Sequence, residues 1–291
     1  MADGQRLRFG IVLGQRAAWE VLAGRARETE ALGFDSFMLV DHFYGLFDVM
    51  EPTHEAYTVL AAIATVTNRV RLGIMVSGNT YRNPALLLKQ AITVDDISGG
   101  RLDFGVGSGW TEREHEAYGF PFPSAGDRVG MFAEALEIWQ LLQSRERTTF
   151  DGSYYQLLDA PFEPKSAQGR LPVLIGASLP RMLRLTARYA DIWNARGTPE
   201  EAGAGNQSLT RMCGEVGRDP AAIVRGVSPA WRLLDSVDEF VAGVAAYRAV
   251  GFTDFQLPWP RDDRQYEVMQ EVTREIMPAL QRESERAPGS D

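Results

Sequence analysis

Short apolar runs alternate along this chain with longer stretches in which apolar residues recur every three or four positions. The short runs are apolar throughout, which is typical of parallel strands buried on both faces. The longer stretches have the spacing of amphipathic helices, and several end at a glycine before the next strand, as at Gly33, Gly99 and Gly251. The pattern therefore predicts a repeating strand–helix unit. The eight predicted strands lie at 7–14, 35–42, 70–78, 101–109, 172–178, 191–195, within 222–234, and at 253–259.

Eight strand–helix units in 291 residues match the (β/α)8 TIM barrel. An open, doubly wound parallel sheet has the same local pattern, because periodicity does not show whether a sheet closes. We predict an α/β fold, with the barrel favoured over the open sheet and residues 1–291 forming one domain. The extra residues between the fourth and fifth strands, about 111–170, are expected to form an insertion at the C-terminal face of the barrel.

Three segments outside the repeat carry expectations of their own. The stretch TTFDGSYYQLLDA predicts a hairpin that turns around Asp151 and Gly152. The polar, glycine-bearing residues 198–208 are expected to form a mobile lid loop. The tail, about 284–291, is expected to be flexible.

The composition argues against several classes of partner. With 30 Lys and Arg against 39 Asp and Glu, the net charge is -9, and no basic run suggests a nucleic-acid surface. No apolar run approaches the ~20 residues that span a bilayer, and no secretory signal pattern is present. The single cysteine, Cys213, excludes an internal disulfide. We expect a cytoplasmic protein that acts on a small molecule.

In a TIM barrel, chemistry takes place at the C-terminal ends of the strands, and two of these ends hold candidate side chains. His42 follows Asp41 at the end of the second strand, where it suits proton transfer; a structural imidazole is the alternative. The letters IGAS at the end of the fifth strand precede a predicted helix, whose N-terminus suits a phosphate, although a plain tight turn explains the same residues.

Other motifs are excluded by their spacing. The three histidines, His42, His54 and His115, do not have the spacing of zinc ligands, so no metal site is predicted. The glycines of GVGSG are spaced two apart, unlike the dinucleotide motif G-x-G-x-x-G, and no G-x-S-x-G nucleophile elbow surrounds Ser108.

Three long segments carry a resemblance to a known family: VDHF, the run from RVRLGIMVSGNT to FPSAGDR, and LPVLIGASLPRMLRLTARYADIWN. They resemble the luciferase-like monooxygenase superfamily, and more narrowly its coenzyme F420-dependent oxidoreductases of actinobacterial type. The resemblance implies a bacterial-luciferase-like barrel that transfers a hydride between C5 of the deazaflavin and a small organic substrate. It covers roughly residues 6–195 closely and the last two strand–helix units loosely.

In this family, the flavin-type ring lies at the barrel mouth, and the fourth-strand glycines would let it approach the backbone closely. A non-prolyl cis peptide is implied between Met75 and Val76. The turn after the fifth strand would hold the phosphate, although Ala177 stands where many relatives have glycine. The implied cofactor contacts are Met75, Val76, Gly78, Asn79, Gly107, Ser108, Gly109, Trp110, Gly176, Ala177, Ser178 and Arg181.

The resemblance also implies roles for polar residues around the ring. His42 would donate or accept a proton beside the ring, and Asp41 would contact the ring or its neighbours. The segment EREHEAYG would line the ribityl or substrate side through Glu112, Glu114 or His115, with a solvated short helix as the alternative.

Trp110 stands where sugar-phosphate dehydrogenases of this group have a glutamate. This argues against a sugar phosphate and favours an apolar substrate, aromatic or terpenoid. Aromatic residues are implied to line its pocket, although each also suits core packing: Phe43, Tyr44, Phe47, Trp193 and Trp259.

Two other functions stay open. An FMN-dependent monooxygenase would take reduced FMN from a partner reductase and use O2, and a non-catalytic member would only bind a flavin. The family also implies a homodimer, with EAYTVLAAIATVTNRV as the candidate surface, and a separate F420 or flavin reductase as a partner.

Overall fold

The computed structural model describes residues 6–45, 48–229 and 231–285. Two compact units divide the chain, which we call the first and second units. Of the described residues, the first unit holds those up to Leu13, Gly24–Met38 and those from Gly176; the second unit holds Gly14–Ala23 and those between Leu39 and Ile175. The strands and helices are, in chain order, β1 (Arg8–Leu13), α1 (Trp19–Ala31), β2 (Ser36–Leu39), α2 (Ala56–Ala64), β3 (Arg71–Ile74), β4 (Ser77–Gly78), α3 (Pro84–Ser98), β5 (Leu102–Gly107), α4 (Glu112–Tyr118), α5 (Ala125–Ser144), β6 (Arg147–Asp151), β7 (Gln156–Pro161), β8 (Val173–Gly176), α6 (Pro180–Tyr189), β9 (Ile192–Ala195), α7 (Pro199–Glu215), β10 (Val224–Val227), α8 (Val237–Ala249), β11 (Asp254–Pro258), α9 (Asp263–Glu271) and α10 (Met277–Glu285).

Nine of the described strands form one sheet, in the order β3-β2-β1-β11-β10-β9-β8-β5-β4. The additional pairing of β3 with β5 closes this sheet. The predicted TIM barrel is therefore confirmed, and the open sheet is excluded. All eight predicted strands are present, with the third divided into β3 and β4.

In the first unit, strand pairing and apolar burial reinforce each other. β1 pairs in parallel with β11, and Phe9 lies opposite Phe255. Both rings are fully buried and stack with their centroids 5.5 Å apart, while Phe240 of α8 packs 5.7 Å from Phe9. Burying an aromatic side chain of this size contributes about 1.5–3 kcal/mol, so these rings join strand and helix into one core.

The expected lid loop at 198–208 is wrong, because these residues begin α7. Thr198 and Glu201 form a capping box, in which each side chain accepts a hydrogen bond from the other residue's backbone N–H, and Pro199 occupies the first turn. Gly205, which suggested a loop, lies against the ring of Trp193, where a Cβ would approach Cη2 to 3.1 Å. The glycine therefore serves helix packing.

The predicted flexible tail is only partly described. Ser284 and Glu285 end α10, and the buried Ser284 hydroxyl accepts a hydrogen bond from the backbone N–H of Leu7 at 3.0 Å. Residues 286–291 lie outside the described residues.

In the second unit, β5 pairs in parallel with β3, β4 and β8. Three alternate glycines, two in β5 and one just beyond it, let this strand lie close to residues 74–80. A Cβ at Gly105 would overlap the carbonyl oxygen of Ile74, and one at Gly107 would lie 2.7 Å from Cγ2 of Val76. Gly109 has φ of +80° and lies against the Thr80 hydroxyl. Residues 74–80 therefore occupy the positions that side chains at these three glycines would fill.

The insertion at 111–170 contains α4, α5 and the predicted hairpin. β6 and β7 pair antiparallel, with Asp151 opposite Gln156, so the turn comprises residues 152–155. The Glu134 carboxylate of α5 accepts hydrogen bonds from the backbone N–H groups of Ser153, Tyr154 and Tyr155 at 2.7, 2.9 and 3.0 Å. A single carboxylate therefore fixes the hairpin turn to the helix.

Gly105→Ala should lower the free energy of unfolding by about 1–3 kcal/mol, because the added methyl group overlaps a backbone carbonyl that has no freedom to move away. Urea unfolding measures this. The matched control is Gly24→Ala in α1, where no described atom outside the helix's own backbone lies within 4 Å of the added Cβ, and a gain of about 0.5–1 kcal/mol is expected. Equal effects at both positions would contradict the packing role of Gly105.

Candidate active site

The candidate catalytic residue, His42, lies in the second unit just after β2, where the backbone leaves the sheet. Its imidazole Nδ1 lies 2.7 Å from Oε2 of Glu114, while its Nε2 has no hydrogen-bond partner among the described residues. The His42 side chain is 15% exposed, while the Glu114 side chain that anchors it is fully buried. Such a ring is suited to proton transfer.

Glu114 is the residue around which this site is organised. Its Oε1 accepts a hydrogen bond from the Phe43 backbone N–H at 2.7 Å, and its Oε2 also accepts one from the Tyr81 hydroxyl at 3.0 Å. The residue is fully buried on α4. Burial alone would raise the pKa of the Glu114 carboxyl, but the hydrogen bonds and charge of His42, with the hydrogen bonds of Phe43 and Tyr81, outweigh it and lower the pKa.

Sequence reasoning named Glu114 only as one of three candidates on its segment. The structure separates them: Glu112 is exposed, while His115 is buried and holds the Thr111 carbonyl oxygen with Nδ1 at 2.8 Å and the Thr80 hydroxyl with Nε2 at 2.6 Å. Glu112 and Glu114 differ in burial, which the amino-acid sequence alone does not show.

Asp41, which the resemblance places beside the ring or its neighbours, is held by a buried arginine. Arg82 donates to both carboxylate oxygens of Asp41, at 2.6 and 2.9 Å, and to Glu55 at 2.6 Å. Asp41 Oδ2 also accepts the Gly78 backbone N–H at 2.9 Å. Burial alone would lower the pKa of the Arg82 guanidinium, but the charge and hydrogen bonds of Asp41 and Glu55 outweigh it and raise the pKa.

This arrangement gives Asp41 a structural position. Its carboxylate ties the end of β2 to β4 and to the segment after it, and the sequence analysis did not identify Arg82 as its partner. One feature of the sequence could have indicated such a partner: Asp41 is an acidic residue at the end of a buried strand, and a buried carboxylate requires a positive partner nearby.

Aromatic side chains surround the His42 loop. Phe43 packs against Tyr81 and Phe120 with ring centroids 4.9 and 5.3 Å apart. Tyr44 is buried against Tyr118, at 6.2 Å. Trp110 contacts His42 edge-on at 5.6 Å and is 64% exposed, which is unusual for so large an apolar ring.

The predicted contacts on the third and fourth strands lie beside this loop in the chain's second unit. The Met75–Val76 peptide bond is cis, as the resemblance implied. The Asn79 Nδ2 donates to the Tyr155 hydroxyl at 3.2 Å, and its buried Oδ1 has no partner among the described residues. Gln15 likewise has one paired and one unpaired amide atom. Its Nε2 donates to the His42 carbonyl at 3.1 Å, and its buried Oε1 has no partner within the described part of the chain.

The predicted phosphate contacts lie in the first unit, at the junction of β8 and α6. Gly176 and Ala177 are half-buried, and Ser178 and Arg181 are exposed. The residue before α6, Leu179, has no side chain that can cap the helix, so the first N–H groups of α6 have no side-chain acceptor from it. That these four residues and the first N–H groups of α6 bind a phosphate stays a prediction.

The aromatic residues proposed for the substrate pocket divide into separate groups. Trp193 is 1% exposed, donates from Nε1 to the Ala177 carbonyl at 2.8 Å and packs against Phe252. Its ring extends from β9 to Gly205 of α7, so Trp193 belongs to the core. Trp259 lies under the Arg25 guanidinium at 5.2 Å. Phe47 lies outside the described residues.

Across residues 6–45, 48–229 and 231–285, no group of three or more His, Cys, Asp or Glu side chains is placed to hold a metal ion. Cys213 is buried as a free thiol. Among the helices that the structure describes, none is both long enough and apolar enough to cross a membrane.

Asp41→Asn should lower the free energy of unfolding by about 3 kcal/mol, because the largely buried Arg82 guanidinium then loses one of its two carboxylate partners. Chemical denaturation at neutral pH measures the change. Arg147→Gln breaks the exposed pair with Asp159 and should leave the midpoint unchanged. A loss at Asp41 as small as that of the control would contradict the structural role.

Comparisons with known proteins agree with this architecture. A family model described as luciferase-like monooxygenase matches residues 7–288. An F420-dependent glucose-6-phosphate dehydrogenase of Kineococcus radiotolerans is 33% identical over 190 residues, 65% of this chain and 56% of that protein. A pyrimidine monooxygenase of Bradyrhizobium sp. is 28% identical over 208 residues, 68% of this chain and 57% of that protein. The chain therefore spans little more than half the length of these two relatives.

A solved structure extends the likeness of fold. An F420-dependent secondary alcohol dehydrogenase in complex with an F420-acetone adduct has a TM-score of 0.82 with this protein, over 92% of this chain and 98% of that one, at 18% identity. Since the family model covers almost the whole described chain, this protein belongs to the luciferase-like monooxygenase family.

Proposed function

We propose that this protein is an F420-dependent oxidoreductase that moves a hydride between the deazaflavin and a small, apolar organic substrate. The observation that carries the proposal is His42, whose Nδ1 is anchored on Glu114 while its Nε2 has no partner among the described residues and lies next to the exposed Trp110. The relatives whose names state an F420-dependent activity support the choice of cofactor.

The residues of the second unit fit a deazaflavin ring system. Buried amide oxygens of Asn79 and Gln15 have no partner among the described residues, so each can accept a hydrogen bond from a bound group. A ring that presents N–H and C=O groups at one edge is a suitable partner for such side chains. Ser108, Gly109 and Trp110, just beyond β5, are half-buried to exposed and so remain accessible to a ligand.

When bound, F420 supplies the hydride chemistry at its C5. The side chains of this protein supply the rest. Glu114 and Tyr81 hold His42 in place, and His42 Nε2 takes up or returns the proton that accompanies hydride transfer. Asp41 and Arg82 keep the backbone at β4 in position.

One exposed aromatic ring beside His42, that of Trp110, supports an apolar substrate. Trp110 offers a large indole face beside the imidazole, and Phe43 and Tyr44 lie in the same loop as His42. An indole contributes apolar area and stacking, and it lacks the acceptor oxygens that bind the hydroxyl groups of a sugar phosphate. We therefore propose an aromatic or terpenoid substrate, in contrast to the glucose 6-phosphate named for the Kineococcus relative.

An FMN-dependent monooxygenase is the second candidate, because the Bradyrhizobium relative carries a monooxygenase name. That function requires a reductase partner and O2 consumption, whereas a deazaflavin enzyme consumes no O2. A non-catalytic flavin binder is the third candidate. The anchored His42–Glu114 pair argues against it, because a protein that only binds has no need to bury a carboxylate against an imidazole.

We also propose that the protein forms a homodimer through residues 55–70 and exchanges reduced cofactor with a separate F420 reductase. Helix α2 in this segment is strongly apolar, and it packs on α3 and β3. Sedimentation of the purified protein measures the oligomeric state.

Cofactor choice is tested by titrating the purified protein with F420 and, separately, with FMN, following the quenching of their fluorescence. We expect F420 to bind in the micromolar range or tighter and FMN clearly more weakly. Oxygen uptake with reduced FMN serves as the control for the second candidate. Equal or tighter binding of FMN, together with O2 uptake, would overturn the F420 proposal.

His42→Ala should lower kcat by ~10²–10⁴-fold, because it removes the proton-transfer group, while the affinity for F420 changes little. Stopped-flow absorbance of F420 measures the rate, and quenching measures the affinity. His54→Ala is the matched control, since His54 is exposed and its backbone N–H, which the substitution keeps, is the group that bonds the Gln15 carbonyl. Turnover of the His42 variant within a few-fold of the parent would remove His42 from the mechanism.

A further inference from the structure

We infer that Glu114 is a positioning residue that fixes both the tautomer and the orientation of His42, so that the neutral imidazole always presents an unprotonated Nε2. The catalytic consequence rests on the proposed function, whereas the tautomer is a property of the protein alone. The inference follows from the donors and acceptors at one buried carboxylate.

The first step concerns the proton on Nδ1. The lowered pKa of the Glu114 carboxyl means that it is ionised at neutral pH, and an ionised carboxylate only accepts hydrogen bonds. At 2.7 Å from Oε2, His42 Nδ1 must therefore carry the hydrogen. A neutral imidazole has a single N–H, so Nε2 is left with its lone pair.

The second step concerns orientation. Glu114 itself has no freedom, since Oε1 is held by the Phe43 backbone N–H and Oε2 by the Tyr81 hydroxyl. Burial and the Glu114 charge both raise the pKa of Tyr81, which keeps this hydroxyl protonated and donating. The carboxylate thus has a fixed position on α4, and it determines where the imidazole edge points.

The third step concerns what this tautomer does. Only a neutral imidazole with a free Nε2 lone pair takes a proton at that atom. The resulting imidazolium keeps its Nδ1–H on the Glu114 carboxylate, which stabilises the positive charge, and the reverse step returns the same proton. With the opposite tautomer, Nε2 would already carry a hydrogen and could not accept one.

Glu114→Gln separates this role from simple packing, because the amide keeps the shape and changes one acceptor into a donor. The new amide would place its carbonyl oxygen on the Phe43 N–H, since an NH2 group there would face another donor. Its NH2 would then face His42 Nδ1 and donate to it. We expect the His42 hydrogen to move to Nε2 in this variant.

The test is nitrogen-15 NMR of the imidazoles in protein labelled at histidine, without cofactor, at a pH where the rings are neutral. The chain has 3 histidines, and His42→Ala identifies the His42 signals by their loss. His115 is the internal control, because its Nδ1 must donate to the Thr111 carbonyl and so keeps its tautomer whatever stands at position 114. This readout does not depend on the proposed activity.

We expect the parent protein to show His42 protonated on Nδ1, and Glu114→Gln to show it protonated on Nε2 with the His115 signals unchanged. Tyr81→Phe removes one donor and keeps the carboxylate, so its His42 should stay protonated on Nδ1. With F420 bound, Glu114→Gln should lose ~10²–10⁴-fold in kcat while its KM changes little.

Two results would overturn the inference. One is a parent protein whose neutral His42 carries its hydrogen on Nε2, which decides the matter even if Glu114→Gln does not fold. The other is a folded Glu114→Gln protein that keeps the Nδ1 hydrogen. Failure of F420 to bind would overturn the proposed function alone, since the NMR result would stand.

Discussion

The arrangement of the candidate site depends on one buried carboxylate that accepts three hydrogen bonds. Glu114 accepts hydrogen bonds from His42, Phe43 and Tyr81, which lie on two different loops, after β2 and after β4, while Glu114 itself lies on helix α4, just beyond β5. A buried carboxylate without partners would be strongly unfavourable, so the loops must meet around it for the fold to be stable. The same condition that makes the loops converge also fixes the imidazole for chemistry.

A second constraint is the close packing of β5 against residues 74–80, which precedes α4 in the chain and positions it. The alternate glycines of β5 let the strand approach residues 74–80 more closely than any side chain would allow. The segment that approaches contains Thr80, whose hydroxyl bonds His115, the neighbour of Glu114 on α4. Backbone packing in the second unit therefore places the helix from which Glu114 reaches His42.

Asp41 and Glu114 illustrate how two acidic residues acquire different roles from their surroundings. Asp41 is paired bidentately with the cationic Arg82, so its charge is neutralised within the scaffold. Glu114 is paired with a titratable imidazole, so its charge acts on a group that can exchange a proton. The resemblance implies that Asp41 contacts the ring or its neighbours; in the structure its carboxylate contacts Arg82 and the Gly78 backbone, and we propose Glu114 as the partner that acts on the imidazole.

Local patterns predicted the strands, the hairpin and the position of His42, since these depend on neighbours in the chain. The partners of the site were out of reach for such patterns, because Glu114 is 72 residues from His42 and Arg82 is 41 from Asp41. Three glutamates on α4 look alike in the sequence, and only burial distinguishes one of them. The wrong prediction of a loop at 198–208 was avoidable from local sequence, because the segment TPEE has the capping-box pattern that begins a helix.

A crystal structure of the protein soaked with F420 tests the central claim most directly. Our account predicts the deazaflavin ring beside residues 108–110 and the cis segment at Met75, with His42 Nε2 facing the ring and Nδ1 still on Glu114. A ring bound away from His42, or an imidazole turned so that Nδ1 leaves the carboxylate, would contradict it.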